Sequence, residues 1–259
     1  MTETDKTALI TGAARGIGLA TAQRFLAEGW RVVLLDNRTD ELRASTRALG
    51  TNRAHAIVAD VSSPEQVEAS VAETLATFGR VDALVNNAGV ADFAPAMDHD
   101  YALWRHVMSI NLDGPFLMTQ AVAEHMIAAG NGGAIVNITS ISGLRASTMR
   151  VAYGTSKAAL AHLTKQYAAE LGEHKIRVNA VAPGPVETEM AKKVHSDDVR
   201  QAYYNVMPIP RHAEERELAN AIWFLASDEA SFITGHVLAV DGGFDAVGVG
   251  VDKLPTRGR

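Results

Sequence analysis

Seven short apolar runs, separated by stretches with helical spacing, constrain the fold of this chain more than any other feature. The apolar runs cover residues 8–10, 32–35, 56–58, 83–85, 134–136, 178–181 and 237–240. Between them, apolar residues recur at helical spacing over residues 17–28, 64–78, 101–129, 151–171 and 214–226. This pattern predicts seven buried strands that alternate with helices.

Alternating strands and helices predict an α/β fold in which the strands are parallel and helices cover both faces of the sheet. A length of 259 residues suits one large core, and no repeat, low-complexity tract or linker divides the chain. We therefore predict a single domain over residues 1–259, a doubly wound Rossmann-type fold with a seven-stranded parallel sheet. Its ligand crevice is expected beyond the carboxyl ends of the strands.

Two segments fall outside this alternation. Residues 187–212 are charged, contain two tyrosines and include Pro208-Ile209-Pro210, and long excursions of this kind are commonly functional. We predict that they form a lid over the substrate. Residues 245–259 form a C-terminal tail that contains glycines and ends on basic residues. The sequence leaves open whether this tail docks on a neighbouring subunit or frays.

Composition argues against several classes of function. A net charge of −6 and the absence of long basic runs argue against a nucleic-acid partner. The chain has no cysteine, so disulfides and thiolate nucleophiles are excluded, and its nine histidines lack the spacing of a metal site, so no metal is expected. No apolar segment approaches the roughly 18 residues that span a bilayer. We expect a cytoplasmic protein without a membrane partner.

A glycine turn follows the first predicted strand and opens the first helix. Its sequence is Thr11-Gly12-Ala13-Ala14-Arg15-Gly16-Ile17-Gly18. Glycines at these positions allow a tight turn and a close approach to a pyrophosphate, whose negative charge is stabilised by the helix N-terminus. Glycine spacing alone is weak support, but its place between a strand and a helix favours a dinucleotide site.

The residue at the end of the second strand indicates which dinucleotide binds. Asp36 follows the apolar run 32–35, where a carboxylate can accept hydrogen bonds from the adenine ribose and would repel a 2′-phosphate. Arg15 and Arg38 favour NADP instead, because each is placed to pair with such a phosphate. The alternative is that both are ordinary surface charges. Asp36 favours NAD, and NADP remains the second choice.

Tyr153 and Lys157 lie four residues apart, on one face of the predicted helix 151–171. Lowering the pKa of a phenol by about 2 to 3 units needs roughly 3 to 4 kcal/mol. An ammonium about 4 Å away supplies about that much at an effective dielectric constant of about 20. Ser140 stands at the end of the strand around 134–138 and can hold a substrate oxygen or cap a turn. These three residues predict a proton-transfer site.

Taken together, these motifs identify a family. The glycine turn, Asn86-Asn87-Ala88-Gly89, Asn111, Ser140, Tyr153 with Lys157, and Pro183-Gly184 occur in the order and spacing of the short-chain dehydrogenase/reductase superfamily, of the TGxxxGxG and YxxxK type. The sequence resembles this superfamily over residues 11–243. The resemblance implies an oxidoreductase that acts on CH–OH groups with a nicotinamide cofactor.

The resemblance also implies a role for each matching residue. Tyr153 would be the general acid/base, Ser140 would orient the substrate oxygen, and Lys157 would lower the tyrosine's pKa and hold the nicotinamide ribose. Asn111 would anchor a water molecule in a proton relay. The implied cofactor contacts are Gly12, Arg15, Gly16, Ile17, Gly18, Asp36, Asp60, Val61, Asn87, Ala88, Gly89, Tyr153, Lys157, Pro183, Gly184, Val186 and Thr188. The same resemblance implies a homotetramer.

The substrate pocket is expected to be lined by the segment 141–152, by the residues after Gly89 and by the lid. Ser142, Arg145 and Arg150 are the polar candidates in 141–152, and either arginine can bind a carboxylate, sulfonate or phosphate or form a surface or subunit-interface ion pair. The favoured hypothesis is an NAD-dependent dehydrogenase of a polyol, sugar or hydroxy acid. The alternatives are an NADPH-dependent ketoreductase of the 3-oxoacyl carrier-protein type and a catalytically silent cofactor-binding regulator.

Overall fold

A computed structural model of the chain, which describes residues 6–189, 191 and 196–247, contains a seven-stranded parallel sheet. The strand order is β3-β2-β1-β4-β5-β6-β7. The strands are β1 Thr7–Thr11, β2 Arg31–Asp36, β3 Ala54–Val58, β4 Ala83–Asn86, β5 Gly133–Ile138, β6 Ile176–Pro183 and β7 Val237–Val240. Each predicted apolar run lies within one of these strands, so the predicted fold class is confirmed.

Helices connect consecutive strands and pack on both faces of the sheet. They are α1 Gly16–Ala27, α2 Thr39–Ala48, α3 Pro64–Phe78, α4 Tyr101–Met108, α5 Gly114–Ala129, α6 Ile141–Leu144, α7 Val151–Leu171, α8 Asp197–Val206 and α9 Glu215–Ala226. The predicted bounds of α3 and α7 agree with the structure at both ends. Helix α2 was missed because Leu42 is its one buried residue and its other positions are mostly polar.

Alternate residues of each central strand supply the two halves of the core. Ile10 and Leu34 face α1 and α9, whereas their neighbours Leu9 and Val33 face α3 and α5. All four side chains are fully buried. A parallel sheet covered on both faces needs apolar residues at consecutive positions, which is why these strands lack the alternating polarity of a half-exposed sheet.

The predicted helix 101–129 is not continuous. A π-helical turn, Ser109–Asp113, separates α4 from α5. Just after it, a Cβ atom on Gly114 would lie 2.8 Å from Cγ2 of Val61, so glycine permits close packing against the loop that follows β3. Turns of this kind often occur at functional sites, and this one carries the predicted site residue Asn111.

The chain reverses its direction of strand addition between β1 and β4. Strands β2 and β3 lie on one side of β1, and β4 to β7 lie on the other. Connections diverge at such a switch point and leave a crevice beyond the carboxyl ends of the strands. The glycine turn, Asp36, Asn87 and Ser140 all follow or end strands at this edge.

The predicted lid and tail are described in part. Within 187–212, residues 190 and 192–195, which precede helix α8 in the chain, lie outside the described residues, so the lid remains a prediction. Of the predicted tail, residues 245–247 belong to the described part and 248–259 lie outside it.

Candidate active site

The glycine turn lies close to the chain segment that follows β4. Gly12 has φ +64°, and a Cβ atom there would lie 2.7 Å from Cα of Ala88. A Cβ on Gly18 would lie 2.3 Å from the carbonyl oxygen of Gly12. A side chain would therefore displace backbone at both positions. Gly16 is different, because its positive φ of +61° rather than crowding favours glycine.

Asn87 and Ala88 hold this turn in place. The Asn87 amide donates from Nδ2 to the carbonyl oxygens of Thr11 and Gly12, each at 2.9 Å. The backbone N–H groups of Asn87 and Ala88 both donate to Oγ1 of Thr11 at 3.0 Å. The segment predicted to lie along the cofactor therefore also fixes the shape of the turn.

Helix α1 begins at Gly16 without a side-chain cap. Arg15 occupies the capping position and forms no capping hydrogen bond, so the cap residue leaves the N–H groups of the first turn available. Uncapped N–H groups at a helix N-terminus bind phosphate well. Together with the close glycine turn, this end of α1 fits the pyrophosphate of a dinucleotide.

Asp36 lies at the end of β2, beside the glycine turn. Its Oδ2 accepts a hydrogen bond from the Ala14 N–H at 3.0 Å, and its Oδ1 accepts one from the Arg38 N–H at 3.0 Å. The carboxylate is buried, and each oxygen keeps a lone pair for another donor. Its position at the crevice is the one from which a carboxylate reaches ribose hydroxyls.

The other predicted cofactor residues lie along the same edge. Asp60 and Val61 follow β3, and the Asp60 carboxylate accepts hydrogen bonds from the Ser62 N–H and hydroxyl. Pro183 ends β6, and the Gly184 N–H donates to the carbonyl oxygen of Val240 at 3.0 Å. The structure thus places all four at the crevice edge. Gly89, Val186 and Thr188 follow β4 and β6 there.

Ser140, Tyr153 and Lys157 meet where β5 ends and α7 begins. Ser140 caps the short helix α6 by accepting a hydrogen bond from the Ser142 N–H at 3.1 Å, and its hydroxyl acts to lower the pKa of the Tyr153 phenol. Lys157 donates from Nζ to the carbonyl oxygen of Ile138 at 2.8 Å. Its Nζ lies 5.9 Å from the centre of the Tyr153 ring.

Burial shifts the pKa values of both ionisable groups in this cluster. It raises the pKa of Tyr153 above its ordinary value, although the Ser140 hydrogen bond and the positive charge of Arg150 oppose the rise. Burial lowers the pKa of Lys157 to about 8. The sequence led us to expect a lowered tyrosine pKa, and the direction is opposite here because desolvation outweighs the nearby positive charge.

Asn111 is fully buried in the π-helical turn. Its Nδ2 donates to the Val90 carbonyl oxygen at 2.9 Å and to Oγ of Ser156 at 3.1 Å, while its Oδ1 accepts from the Val90 N–H at 2.9 Å. Both amide protons are therefore used within the protein. The side chain ties the segment after Gly89 to α7, and a water molecule would have to bind another atom of this residue.

The two candidate substrate arginines have different partners. Arg145 is paired with Asp245 at 2.9 Å and also donates to the Val247 carbonyl oxygen at 2.8 Å. It therefore forms the ion pair that the sequence offered as its alternative role. Arg150 instead donates to hydroxyl groups, to Oγ of Ser142 at 2.8 Å and to the phenol of Tyr203 at 3.3 Å.

The Phe93 ring contacts both Arg150 and Tyr153. The guanidinium carbon of Arg150 is 4.8 Å from the centre of the Phe93 ring, and the Phe93 and Tyr153 rings meet edge to face with centres 6.2 Å apart. No described acidic side chain lies within ion-pairing distance of Arg150. This partly buried positive charge therefore has no paired carboxylate in the described part of the chain.

A protein-family model described as Enoyl-(Acyl carrier protein) reductase matches residues 12–245. The chain belongs to the short-chain dehydrogenase/reductase family. As in the sequence prediction, this enzyme is an oxidoreductase that acts on CH–OH groups.

Two relatives of this short-chain dehydrogenase/reductase act on different alcohols. A galactitol 2-dehydrogenase (L-tagatose-forming) from Cereibacter sphaeroides is 42% identical over 240 residues, which cover 92% of this chain and 94% of that protein. A cis-4-hydroxycyclohexanecarboxylate dehydrogenase from Sinomonas cyclohexanicum is 42% identical over 246 residues, which cover 94% of this chain and 98% of that one. One name describes a neutral polyol and the other a hydroxy acid.

A solved structure supports the same assignment. The crystal structure of a gluconate 5-dehydrogenase from Burkholderia cenocepacia, in complex with NADP and tartrate, matches with a TM-score of 0.89 and 36% identity. The match covers 93% of this chain and 96% of that one. Among the described residues, no helix is long and apolar enough to cross a membrane.

Sequence reasoning missed three residues that this short-chain dehydrogenase/reductase brings to its site. Phe93 and Tyr203 contact Arg150 as described above, and Glu41 lies 3.2 Å from Arg38 and 3.9 Å from Arg15. The three-residue spacing between Arg38, which precedes α2, and Glu41 in its first turn could have indicated their pair, but α2 was not predicted. Phe93 and Tyr203 lie in two segments that were predicted to line the pocket, the one after Gly89 and the lid, but no local sequence pattern singles out these two side chains.

Proposed function

We propose that this enzyme uses NAD to oxidise the secondary alcohol of a hydroxylated small molecule, and that its preferred substrates are hydroxy acids, including sugar acids. The observation that carries the substrate class is Arg150, a partly buried cation beside Tyr153 that contacts hydroxyl groups and no described carboxylate. A substrate carboxylate would neutralise the charge of Arg150 and can accept hydrogen bonds from two of its N–H groups at once.

The cofactor choice rests on Asp36. Its buried carboxylate at the end of β2 can accept hydrogen bonds from ribose hydroxyls and repels a 2′-phosphate. The glycine turn and the uncapped start of α1 would hold the pyrophosphate. Asp60 and Val61 would flank the adenine, Asn87, Ala88 and Gly89 would line the crevice, and Pro183, Gly184, Val186 and Thr188 would contact the nicotinamide end.

The proton-transfer steps follow from the three residues at the end of β5. Ser140 would hold the substrate hydroxyl by a hydrogen bond, and the Tyr153 oxygen would accept its proton as the carbonyl forms. When bound, the oxidised nicotinamide supplies the hydride acceptor and a positive charge. That charge would favour the ionised phenol and so offset the burial that raises the pKa of Tyr153.

Lys157 would act on the cofactor rather than directly on the substrate. Its Nζ is fixed by the Ile138 carbonyl oxygen, 2.8 Å away, and has two further N–H donors. Those donors would hold the nicotinamide ribose. Asn111 would support the same region by fixing the segment after Gly89 through its three hydrogen bonds.

We propose that residues 187–212 form the lid over this site. Tyr203, on α8, accepts a hydrogen bond from Arg150 and packs against Phe244 with ring centres 5.7 Å apart. Substrate binding at Arg150 would therefore change a contact that holds α8 near Tyr153.

We also propose a homotetramer. Tyr101 on α4, Phe116 on α5 and Val151 on α7 are large apolar side chains that are 76%, 44% and 41% exposed. Exposed apolar residues on long neighbouring helices support contact with another subunit. Light scattering from the purified protein tests this proposal, and a monomer mass at micromolar concentration would contradict it.

Initial rates of NAD and NADP reduction at mildly alkaline pH test the main proposal. The substrates are neutral polyols, aldoses, hydroxy acids and sugar acids, each with wild-type enzyme, Arg150→Gln and the matched control Arg145→Gln. We expect turnover mainly with NAD. For hydroxy acids, we expect Arg150→Gln to lower kcat/KM by about 10- to 100-fold, the loss typical of a charged hydrogen bond, with a much smaller effect of Arg145→Gln.

Two results would overturn parts of this proposal separately. A preference for NADP would contradict the role of Asp36 and leave the proton-transfer residues in place. Faster turnover of neutral polyols, with equal losses for both substrate types in Arg150→Gln, would contradict the hydroxy-acid class. Both outcomes leave the CH–OH oxidoreductase assignment unchanged.

A further inference from the structure

Two arginines beside the proposed adenosine site share one carboxylate. Arg38 lies just before α2, and its Nη1 is 3.2 Å from Oε2 of Glu41. Arg15 lies in the glycine turn, and its Nη1 is 3.9 Å from Oε1 of the same glutamate. One glutamate therefore faces both guanidinium groups that could bind a 2′-phosphate.

Glu41 also changes the charge of this region. Asp36 lies close to both arginines, because its two oxygens accept hydrogen bonds from the backbone N–H groups of Ala14 and Arg38. With both carboxylates present, the two positive and two negative charges cancel. Without Glu41, the side chains of Arg15, Arg38 and Asp36 would together carry one net positive charge, which favours binding of a phosphate dianion.

We propose that Glu41 is a cofactor-specificity residue that keeps Arg15 and Arg38 from compensating for Asp36. This inference rests on the proposed function, because it explains how an NAD site tolerates two arginines near the 2′ position. Asp36 repels a 2′-phosphate, and Glu41 pairs with the two guanidinium groups that would otherwise attract it. Glu41 does not contact the residues assigned to proton transfer.

Because these side chains are exposed, a substitution at Glu41 should change folding stability very little. The side chains of Arg15, Arg38 and Glu41 are 37%, 49% and 48% exposed. Ion pairs this exposed contribute little to folding, so Glu41→Gln should leave the thermal unfolding temperature nearly unchanged. Asp40→Asn is the matched control, because it removes the same charge from the same first turn of α2, and Asp40 forms no ion pair in the described structure.

Binding of the adenosine half of the cofactor tests the inference without turnover. Isothermal titration would compare adenosine 2′,5′-bisphosphate with 5′-AMP, and NADP with NAD, on wild-type enzyme, Glu41→Gln and Asp40→Asn. We expect Glu41→Gln to tighten binding of both 2′-phosphorylated ligands by about fivefold to tenfold, the effect of one nearby charge in a solvent-exposed site. Binding of 5′-AMP and NAD should change by less than about twofold.

Further variants show whether the arginines carry the effect. Adding Arg38→Gln to Glu41→Gln should remove most of the gain, because the released guanidinium is then absent. An equal gain in Asp40→Asn would overturn the inference, since it would reflect general charge, and so would no gain in Glu41→Gln. If wild-type enzyme already prefers NADP, the proposed NAD preference fails, whereas the role of Glu41 is still decided by its comparison with Asp40→Asn.

Discussion

Arg145 donates a hydrogen bond from Nε to Oδ1 of Asp245 at 2.9 Å, although the two residues are 100 positions apart in the chain. The same guanidinium donates to the carbonyl oxygens of Asp245 and Val247. The loop between Ser140 and Tyr153 is thereby joined to the segment that follows β7. Arg150, five positions later, forms no such pair with any described carboxylate, and this difference separates a structural arginine from a candidate substrate ligand.

Breaking this pair should loosen the segment that follows β7. We expect Arg145→Gln and Asp245→Asn to speed amide hydrogen exchange in the peptide covering 241–247, because each removes the anchoring ion pair. Since the two side chains are 41% and 38% exposed, the free energy of unfolding should fall by less than about 1 kcal/mol. Arg105→Gln, which removes an exposed pair with Asp113, is the control. Unchanged exchange at 241–247 would show that Arg145 does not anchor this segment.

Replacing Tyr153 with phenylalanine should abolish most of the activity. Loss of a general acid/base lowers rates by about 10²- to 10⁴-fold, so we expect kcat of Tyr153→Phe to fall within that range while NAD still binds. Tyr167→Phe is a matched control on the same helix, because the Tyr167 hydroxyl accepts a hydrogen bond from Gln120 and lies outside the site. Comparable loss in both variants would point to damage to α7 rather than to lost proton transfer.

Lys157 should give the ligand-free protein a distinctive pH dependence of stability. Its pKa is lowered by burial to about 8 in the folded protein, against an ordinary value of 10.5. Between these values the unfolded chain binds more protons, so the free energy of unfolding contributed by Lys157 rises with pH. Relative to Lys157→Met, wild-type stability should increase from pH 8 to 10.5 by at most about 3 kcal/mol. Urea unfolding across this range measures it, and a constant difference would contradict the lowered pKa.

Two glycine substitutions should separate backbone strain from crowding. Gly12 and Gly50 have similar positive φ values, +64° and +61°, but a Cβ atom would meet Ala88 at 2.7 Å in the first and nothing within 4 Å in the second. Gly50→Ala should cost about 1 to 2 kcal/mol of stability, the penalty of a left-handed residue. Gly12→Ala should cost more and weaken NAD binding. Equal thermal shifts with unchanged NAD binding would contradict the close packing of the glycine turn.

Much of the architecture was readable from local patterns in the sequence. Consecutive apolar residues located all seven strands, and helical spacing located α3 and α7, because secondary-structure periods are fixed by backbone geometry. The convergence of Ser140 with Tyr153 and Lys157 was also predictable. Ser140 follows a strand, and Tyr153 and Lys157 lie on successive turns of one helix. Few packing arrangements of that strand and helix can therefore bring the three side chains together.

The charge relationships of the site were decided by tertiary structure. Whether Arg145 or Arg150 forms an ion pair depends on where the folded chain places Asp245. The contact between Arg15 and Glu41 depends on how α2 packs beside the glycine turn. The direction of the Tyr153 pKa shift likewise follows from burial that no local pattern reports. The sequence by itself determined the fold, because local periodicity sets its strands and helices, and its motifs singled out Ser140, Tyr153 and Lys157 as the proposed proton-transfer residues. Ion pairing and desolvation depend on distances between remote segments, which only the folded chain fixes.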